Sequence, residues 1–225
     1  MARVSVLQLD TRFCRVSGDV GCGDSYVNAP EIIRVPRTSV ADVVSDQPNQ
    51  IDLDPFLKAI EQAKGDVIVT SCGFLSPFQD QLQSVTHKPV IASVLNMLSD
   101  LKVMKGAERS SVLTFNAGRL VDAHFPHPYR AGDFCIVGLH PDNPLRQRIE
   151  GDVPDYFDPS DMQDAVMHDF AASMTPTTET VVLECTNLPP YKPQMRRNSD
   201  VRIVDILSAI EHIAPKTIAP QYLWE

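Results

Sequence analysis

Laid over itself, the chain repeats. Asp66-Val67-Ile68-Val69-Thr70-Ser71-Cys72-Gly73-Phe74-Leu75-Ser76-Pro77-Phe78 overlies Glu179-Thr180-Val181-Val182-Leu183-Glu184-Cys185-Thr186-Asn187-Leu188-Pro189-Pro190-Tyr191 without a gap. An acid, an apolar β-branched run, a cysteine, a leucine, a proline and an aromatic residue coincide. Ser5-Val6-Leu7-Gln8-Leu9-Asp10 likewise overlies Ser111-Val112-Leu113-Thr114-Phe115-Asn116, which sets Asp10 and Asn116 at matching strand ends. Two matches in the same order describe two related halves.

Within each half, short Val- and Ile-rich runs alternate with amphipathic stretches. Val4 to Leu9, Val67 to Val69, Val112 to Phe115 and Val181 to Leu183 read as buried strands. Asp54 before Pro55 and Asp158 before Pro159 are helix-start signals. Alternation of this kind predicts an α/β fold with parallel sheets. The repeat then predicts two pseudo-symmetric α/β subdomains with the active site in the cleft between them. We divide the chain into residues 1–106 plus 207–225 for the first and 107–206 for the second.

Composition narrows the partners. The 225 residues carry a net charge of −9, a field that repels phosphate backbones and anionic lipid headgroups, so neither nucleic acid nor membrane is an expected partner. No apolar run approaches the roughly 18 to 20 residues that span a bilayer, and charge interrupts the first strand too soon for a secretion signal. The expectation is a cytoplasmic protein with reduced thiols. Five cysteines, with no CxxC pair, leave at least one thiol unpaired in the monomer.

The repeat sorts those thiols. Cys72 and Cys185 end equivalent buried strands, where open α/β sheets bind ligands, and each precedes a proline-started segment whose free N–H groups would favour thiolate and bind carboxylates. A single strand-end cysteine is as well explained as a small core residue. A matched pair followed by Gly73 on one side and Thr186 and Asn187 on the other fits a site better. Across a pseudo-twofold cleft, one thiolate could remove an α-proton while the other thiol returns one to the opposite face.

The residues that carry this pattern resemble the aspartate/glutamate racemase superfamily, to which hydantoin racemases also belong. They are Leu9-Asp10-Thr11-Arg12 with Gly18-Asp19-Val20-Gly21, Thr70-Ser71-Cys72-Gly73-Phe74, Leu113-Thr114-Phe115-Asn116, and Val181 through Pro189 around Cys185. The resemblance runs from about residue 4 to about residue 206. It implies two cysteines as the acid/base pair, no pyridoxal phosphate or other cofactor, and no metal. Asp10 and Thr11 match the pair that contacts a substrate ammonium and orients the first thiol. Thr114 and Asn116 match the carboxylate-binding segment, Thr186 the threonine after the second cysteine, and Asn187 a position that is histidine in glutamate racemases. Gly73-Phe74 replaces an Asn-Thr pair, and Glu184 replaces a glycine; a carboxylate facing the thiol would disfavour thiolate by like-charge repulsion.

Other constellations weigh less. Gly18-Asp19-Val20-Gly21-Cys22-Gly23 has the wrong spacing for a dinucleotide loop and reads as a turn-rich loop at the cleft. Arg12 beside it is either a carboxylate clamp or a solvated arginine. His124-Phe125-Pro126-His127 lacks a third ligand and reads as a surface loop. Cys135 reads as a core residue in a strand, and Cys14 and Cys22 as loop thiols.

The expected function is that of a cofactor-independent racemase or epimerase acting on an amino acid or derivative, a small carboxylate-bearing substrate, by two-base proton transfer between Cys72 and Cys185. The alternatives are a same-fold isomerase or decarboxylase of a small carboxylate, and a non-catalytic ligand-binding α/β protein. A homodimer is the commonest assembly for such folds.

Overall fold

The structure is a computed structural model and describes residues 2–103 and 109–223. The division drawn between residues 106 and 107 lies outside the described residues. Strands β1 (Val4–Leu9), β2 (Glu31–Val35), β3 (Val67–Thr70) and β4 (Val90–Ile91) form one sheet in the order β2-β1-β3-β4. Strands β5 (Ser110–Thr114), β6 (Cys135–Gly138), β7 (Thr180–Leu183) and β8 (Arg202–Val204) form a second in the order β6-β5-β7-β8. Every pairing within these two sheets is parallel. This is the two-subdomain α/β fold that the alternating pattern predicts.

The repeat extends to hydrogen-bond register. Val4 stands opposite Val67 in the first sheet, and their overlay equivalents Ser110 and Thr180 stand opposite each other in the second. Ile68 opposite Val90 is likewise matched by Val181 opposite Ile203. A one-residue slip would turn every side chain to the other face, so a shared register places equivalent residues at equivalent points of the two sheets.

Strands β1, β3, β5 and β7 are buried along their whole length, as parallel strands covered on both faces must be. The covering helices are α1 (Val40–Val43), α2 (Asp54–Gln62), α3 (Gln79–Ser84), α4 (Pro144–Glu150), α5 (Gln163–Ala172), α6 (Lys192–Arg197) and α7 (Ile206–Ile213). Asp54-Pro55 does open α2, by way of Pro55 in its first turn. Asp158 accepts from the Ser160 N–H at 2.9 Å and caps a 3-10 turn that leads into α5. At the start of α7, Asp205 accepts from the Ser208 N–H at 2.8 Å and binds the fully buried Lys192 ammonium at 2.9 Å, so the charge on Lys192 is paired where water cannot reach it.

The halves are joined by polar contacts at the carboxyl ends of their strands. Thr186 Oγ1 donates to the Ser71 carbonyl at 2.7 Å, Asn187 Nδ2 to Asp19 Oδ2 at 2.5 Å, and Ser76 Oγ to the His124 carbonyl at 2.7 Å. The glycine-rich loop around Asp19 is an integral part of this seam. Gly18 has φ +100°, and an added Cβ would lie 2.7 Å from the Pro190 backbone, so both its conformation and its close approach require glycine. His124, expected on a surface loop, is fully buried instead. Its Nδ1 lies 3.2 Å from the Val121 N–H, and its ring meets Phe74 edge-on at 5.1 Å between centroids. The loop is drawn in because Ser76 binds its carbonyl and Phe74 offers an aromatic face. Cys135 lies in β6 as expected but is only half-buried, because β6 is an edge strand.

Candidate active site

Cys72 and Cys185 follow the last residues of β3 and β7, and both line one cleft between the halves. In each case the backbone N–H two residues further on, that of Phe74 or Asn187, is hydrogen-bonded to the sulfur. Ser71, Gly73, Phe74, Thr186 and Asn187 line the same cleft, and Phe13, Val40, Val44 and Phe115 make its apolar wall. The cavity is about 30 Å³, enough for water and too small for an organic acid, so a ligand must part the walls to bind. All five cysteines are free thiols. Among the described residues no group of three His, Cys, Asp or Glu side chains is placed to hold a metal ion, and no helix is long and apolar enough to cross a membrane.

The strand-end position does not make the resting cysteines thiolates. Burial, reinforced by the neighbouring Glu184, pushes the Cys72 thiol up to about 12, and the same two causes raise Cys185. The chain after Cys72 is a six-residue 3-10 turn, Gly73–Phe78, and one N–H per sulfur does not offset the loss of water. The two thiols nevertheless differ. Phe74 and the positive charge of Arg15 favour thiolate at Cys72. Cys185 donates its S–H to Asn187 Oδ1 at 3.7 Å, which favours the thiol form.

Glu184 is 1% exposed and lies on the cleft wall. Thr114 Oγ1 donates to its Oε2 at 2.5 Å, while Oε1 is buried with no hydrogen-bond partner. Desolvation raises its carboxyl to about 7.

Residues 20–212 match the family described as Asp/Glu/Hydantoin racemase. The chain belongs to that family. Two relatives are named as lyases. Dimethylsulfoniopropionate lyase 5 of Emiliania huxleyi (strain CCMP1516) is 27% identical over 171 residues, 72% of this chain and 34% of that protein, so the chain matches about a third of its length. The dimethylsulfoniopropionate lyase of Durusdinium sp. clade D is 24% identical over 219 residues, 92% of this chain and 72% of that protein. Among solved structures, allantoin racemase from Pseudomonas fluorescens superposes with a TM-score of 0.60 at 14% identity, over 98% of this chain and 95% of that one. Arylmalonate decarboxylase gives 0.54 at 16%, over 97% and 96%. These likenesses show a shared fold, that of a family of enzymes.

Of the substrate-contacting residues expected from the family resemblance, Gly73, Phe74, Thr186 and Asn187 line the cleft. Thr114 stands behind it and acts on Glu184. Thr11 is buried beside the cleft, where its hydroxyl accepts from Arg15 Nη2 at 3.4 Å. Asp10, Arg12 and Asn116 do not line the cleft. Asp10 is exposed, with Arg34 Nε at 3.8 Å. Arg12 has a 70% exposed side chain paired to Asp152 at 3.0 Å, so of its two readings the solvated arginine is the one that fits. Asn116 spends its Oδ1 on capping the turn Ala117–Arg119.

The cationic group at the site is Arg15, which no sequence motif singles out. Its side chain is 8% exposed, stacks 4.3 Å over the Phe13 ring and pairs with Asp19 at 3.1 Å. Its Nε is buried with no partner. The i,i+4 spacing of Arg15 and Asp19 is the available signal, and it is weak because surface helices are full of such pairs.

Proposed function

We propose that this enzyme removes the proton from the carbon next to the carboxylate of a small acid, with Cys72 as base and with Cys185 as the acid wherever that carbon is reprotonated. The observation that carries the reading is the convergence of two buried thiols and a buried arginine on one cleft at the carboxyl ends of β3 and β7. Arg15 Nε is the donor free to take the substrate carboxylate, and Asp19 and Phe13 hold the guanidinium in place. Cys72 thiolate then takes the α-proton and becomes a thiol, and the electron pair moves onto the carboxylate as an enediolate. An α-proton beside a carboxylate is very weakly acidic, so the fixed donors of a closed cleft supply much of the stabilisation.

The fate of the enediolate depends on the substrate. A racemase must run in both directions and use either thiol as base, whereas, beyond the one N–H that each sulfur accepts, Arg15 favours thiolate at Cys72 and Cys185 donates to Asn187 Oδ1. That asymmetry supports a one-way reaction in which the enediolate expels a β-substituent with its bonding electrons and leaves a carbon–carbon double bond. The names of the two relatives agree, since a dimethylsulfonio group on the β-carbon of propionate is such a leaving group. Racemisation, in which Cys185 protonates the opposite face, is the second reading, and the equivalence of the two cysteines in the repeat favours it.

The test is incubation in D₂O with dimethylsulfoniopropionate and, separately, with single enantiomers of aspartate, glutamate and a substituted hydantoin, followed by NMR and mass analysis. Elimination gives an unsaturated acid of lower mass, and racemisation gives α-deuterated product that is otherwise unchanged. The two-thiol reading fails if Cys72→Ser and Cys185→Ser each match the parent.

A further inference from the structure

The repeat makes one contact across the cleft occur twice, in two different forms. Ser71 and Glu184 are overlay equivalents, as are Thr186 and Gly73. In one copy the Thr186 hydroxyl crosses the seam to the Ser71 carbonyl. In the other the side chain is missing, and the room is taken from the opposite direction. A Cβ placed on Gly73 would fall 2.6 Å from the Glu184 carbonyl oxygen, 2.7 Å from its Cδ and 2.1 Å from its Oε1. Glycine at 73 is what admits the Glu184 carboxyl to the cleft.

We propose that Glu184 is a third catalytic group, a neutral carboxyl that donates a hydrogen bond from Oε1 to the substrate carboxylate and to the enediolate formed from it. This inference rests on the proposed chemistry for its substrate class. Three observations carry it. Oε2 already accepts from Thr114, which leaves the acid proton to Oε1. Oε1 is buried, has no partner and belongs to a residue on the cleft wall. No Lys, Arg or His among the described residues is ion-paired with Glu184, so nothing repays the desolvation of a negative charge there. The titratable groups that face it are the Cys72 and Cys185 thiols; Arg15, which lines the same cleft, is paired with Asp19. Burial raises the carboxyl to about 7, in agreement with that geometry.

No proton is lost from Glu184 in the cycle. The α-proton goes to Cys72, the developing charge goes to the carboxylate oxygens, and Glu184 keeps its own proton while shortening its hydrogen bond as that charge grows. Ionised Glu184 would repel the substrate carboxylate and, through the same field, disfavour thiolate at both cysteines.

Binding of propionate, an acid without a leaving group, to the full chain at pH 5.5 to 9 separates this role of Glu184 from the proton-abstraction chemistry itself. Calorimetry of the parent is expected to show affinity falling close to tenfold per pH unit above about pH 7. Glu184→Gln keeps an N–H donor of similar size that does not titrate, and its affinity is expected to stay level across the range. Glu184→Leu is expected to bind at least tenfold more weakly than Glu184→Gln. Glu184→Gln with the parent's pH dependence, Glu184→Leu with the parent's affinity, or no propionate binding by the parent at pH 6 would each overturn the proposal. Absence of both elimination and α-deuterium exchange with every acid, alongside the expected binding profile, would overturn the proton-abstraction chemistry and leave Glu184 as a carboxylate-binding group.

Discussion

Glu184 occupies the space that a side chain on Gly73 would fill, with Oε1 2.1 Å from the ideal Cβ position. The two residues belong to different halves, so a change at one is felt at the other. Gly73→Ala should therefore destabilise the fold by about 1–3 kcal/mol, the usual range for overpacking a filled site. Adding Glu184→Ala should recover part of that loss, and only part, because the Glu184 carbonyl oxygen still lies 2.6 Å from the new methyl. Urea denaturation of the two single variants and the double variant measures the coupling; strict additivity would mean that the contact is unstrained.

Glu184 also sets a pH dependence of stability. Its carboxyl has an ordinary value of 4.5 and a folded value raised to about 7. Between these values the unfolded chain releases the proton and the folded chain keeps it. Stability is then fully present below about pH 4.5, is lost as pH rises towards 7, and levels off above it, by on the order of 3 kcal/mol. Glu184→Gln should lack this fall, and the difference between the two stability curves over pH 4.5 to 7.5 isolates it from the other carboxylates.

The parallel α/β class, the two halves and the placing of Cys72 and Cys185 at equivalent strand ends were legible in the sequence, because the duplicated β-runs carry the cysteines at the same offset. Outside its reach lay the relations set by packing between the halves. Arg12 and Arg15 are equally basic on paper, and only the turn that sends one side chain to Asp152 and the other beneath Phe13 distinguishes them. The buried state of His124 depends on Ser76, 48 positions away, which no local pattern encodes. Gly73 and Glu184 were both visible as departures from the racemase pattern, but their direct contact required coordinates.

The two arginines should separate in binding. Arg15→Met removes the buried donor at Nε and the ion-pair partner of Asp19, so propionate affinity is expected to fall about 10- to 100-fold, the worth of a hydrogen bond to a charged group. Arg12→Ala breaks an exposed pair and should change affinity less than about twofold. Calorimetry at pH 6, with thermal unfolding to check that each variant is folded, reads both. A larger loss from Arg12→Ala than from Arg15→Met would return the clamp to Arg12.

Thiol reactivity should obey the same electrostatics. With its thiol pushed up to about 12, Cys72 carries about one thiolate in 10⁵ molecules at pH 7, and only the thiolate alkylates. Iodoacetamide is expected to label the half-buried Cys14 and Cys135 first and Cys72 at least about 100-fold more slowly. The Cys72 rate should then climb close to tenfold per pH unit from pH 7 to 10 without a plateau. Because the Glu184 charge is one of the causes that raise Cys72, Glu184→Gln should speed its labelling at pH 8, where the parent carboxyl is mostly ionised, and change it little at pH 6. Peptide mass spectrometry after timed quenching resolves the sites. A plateau near pH 8 in the parent would mean that Cys72 is already poised as a thiolate, with Arg15 and the Phe74 N–H outweighing burial.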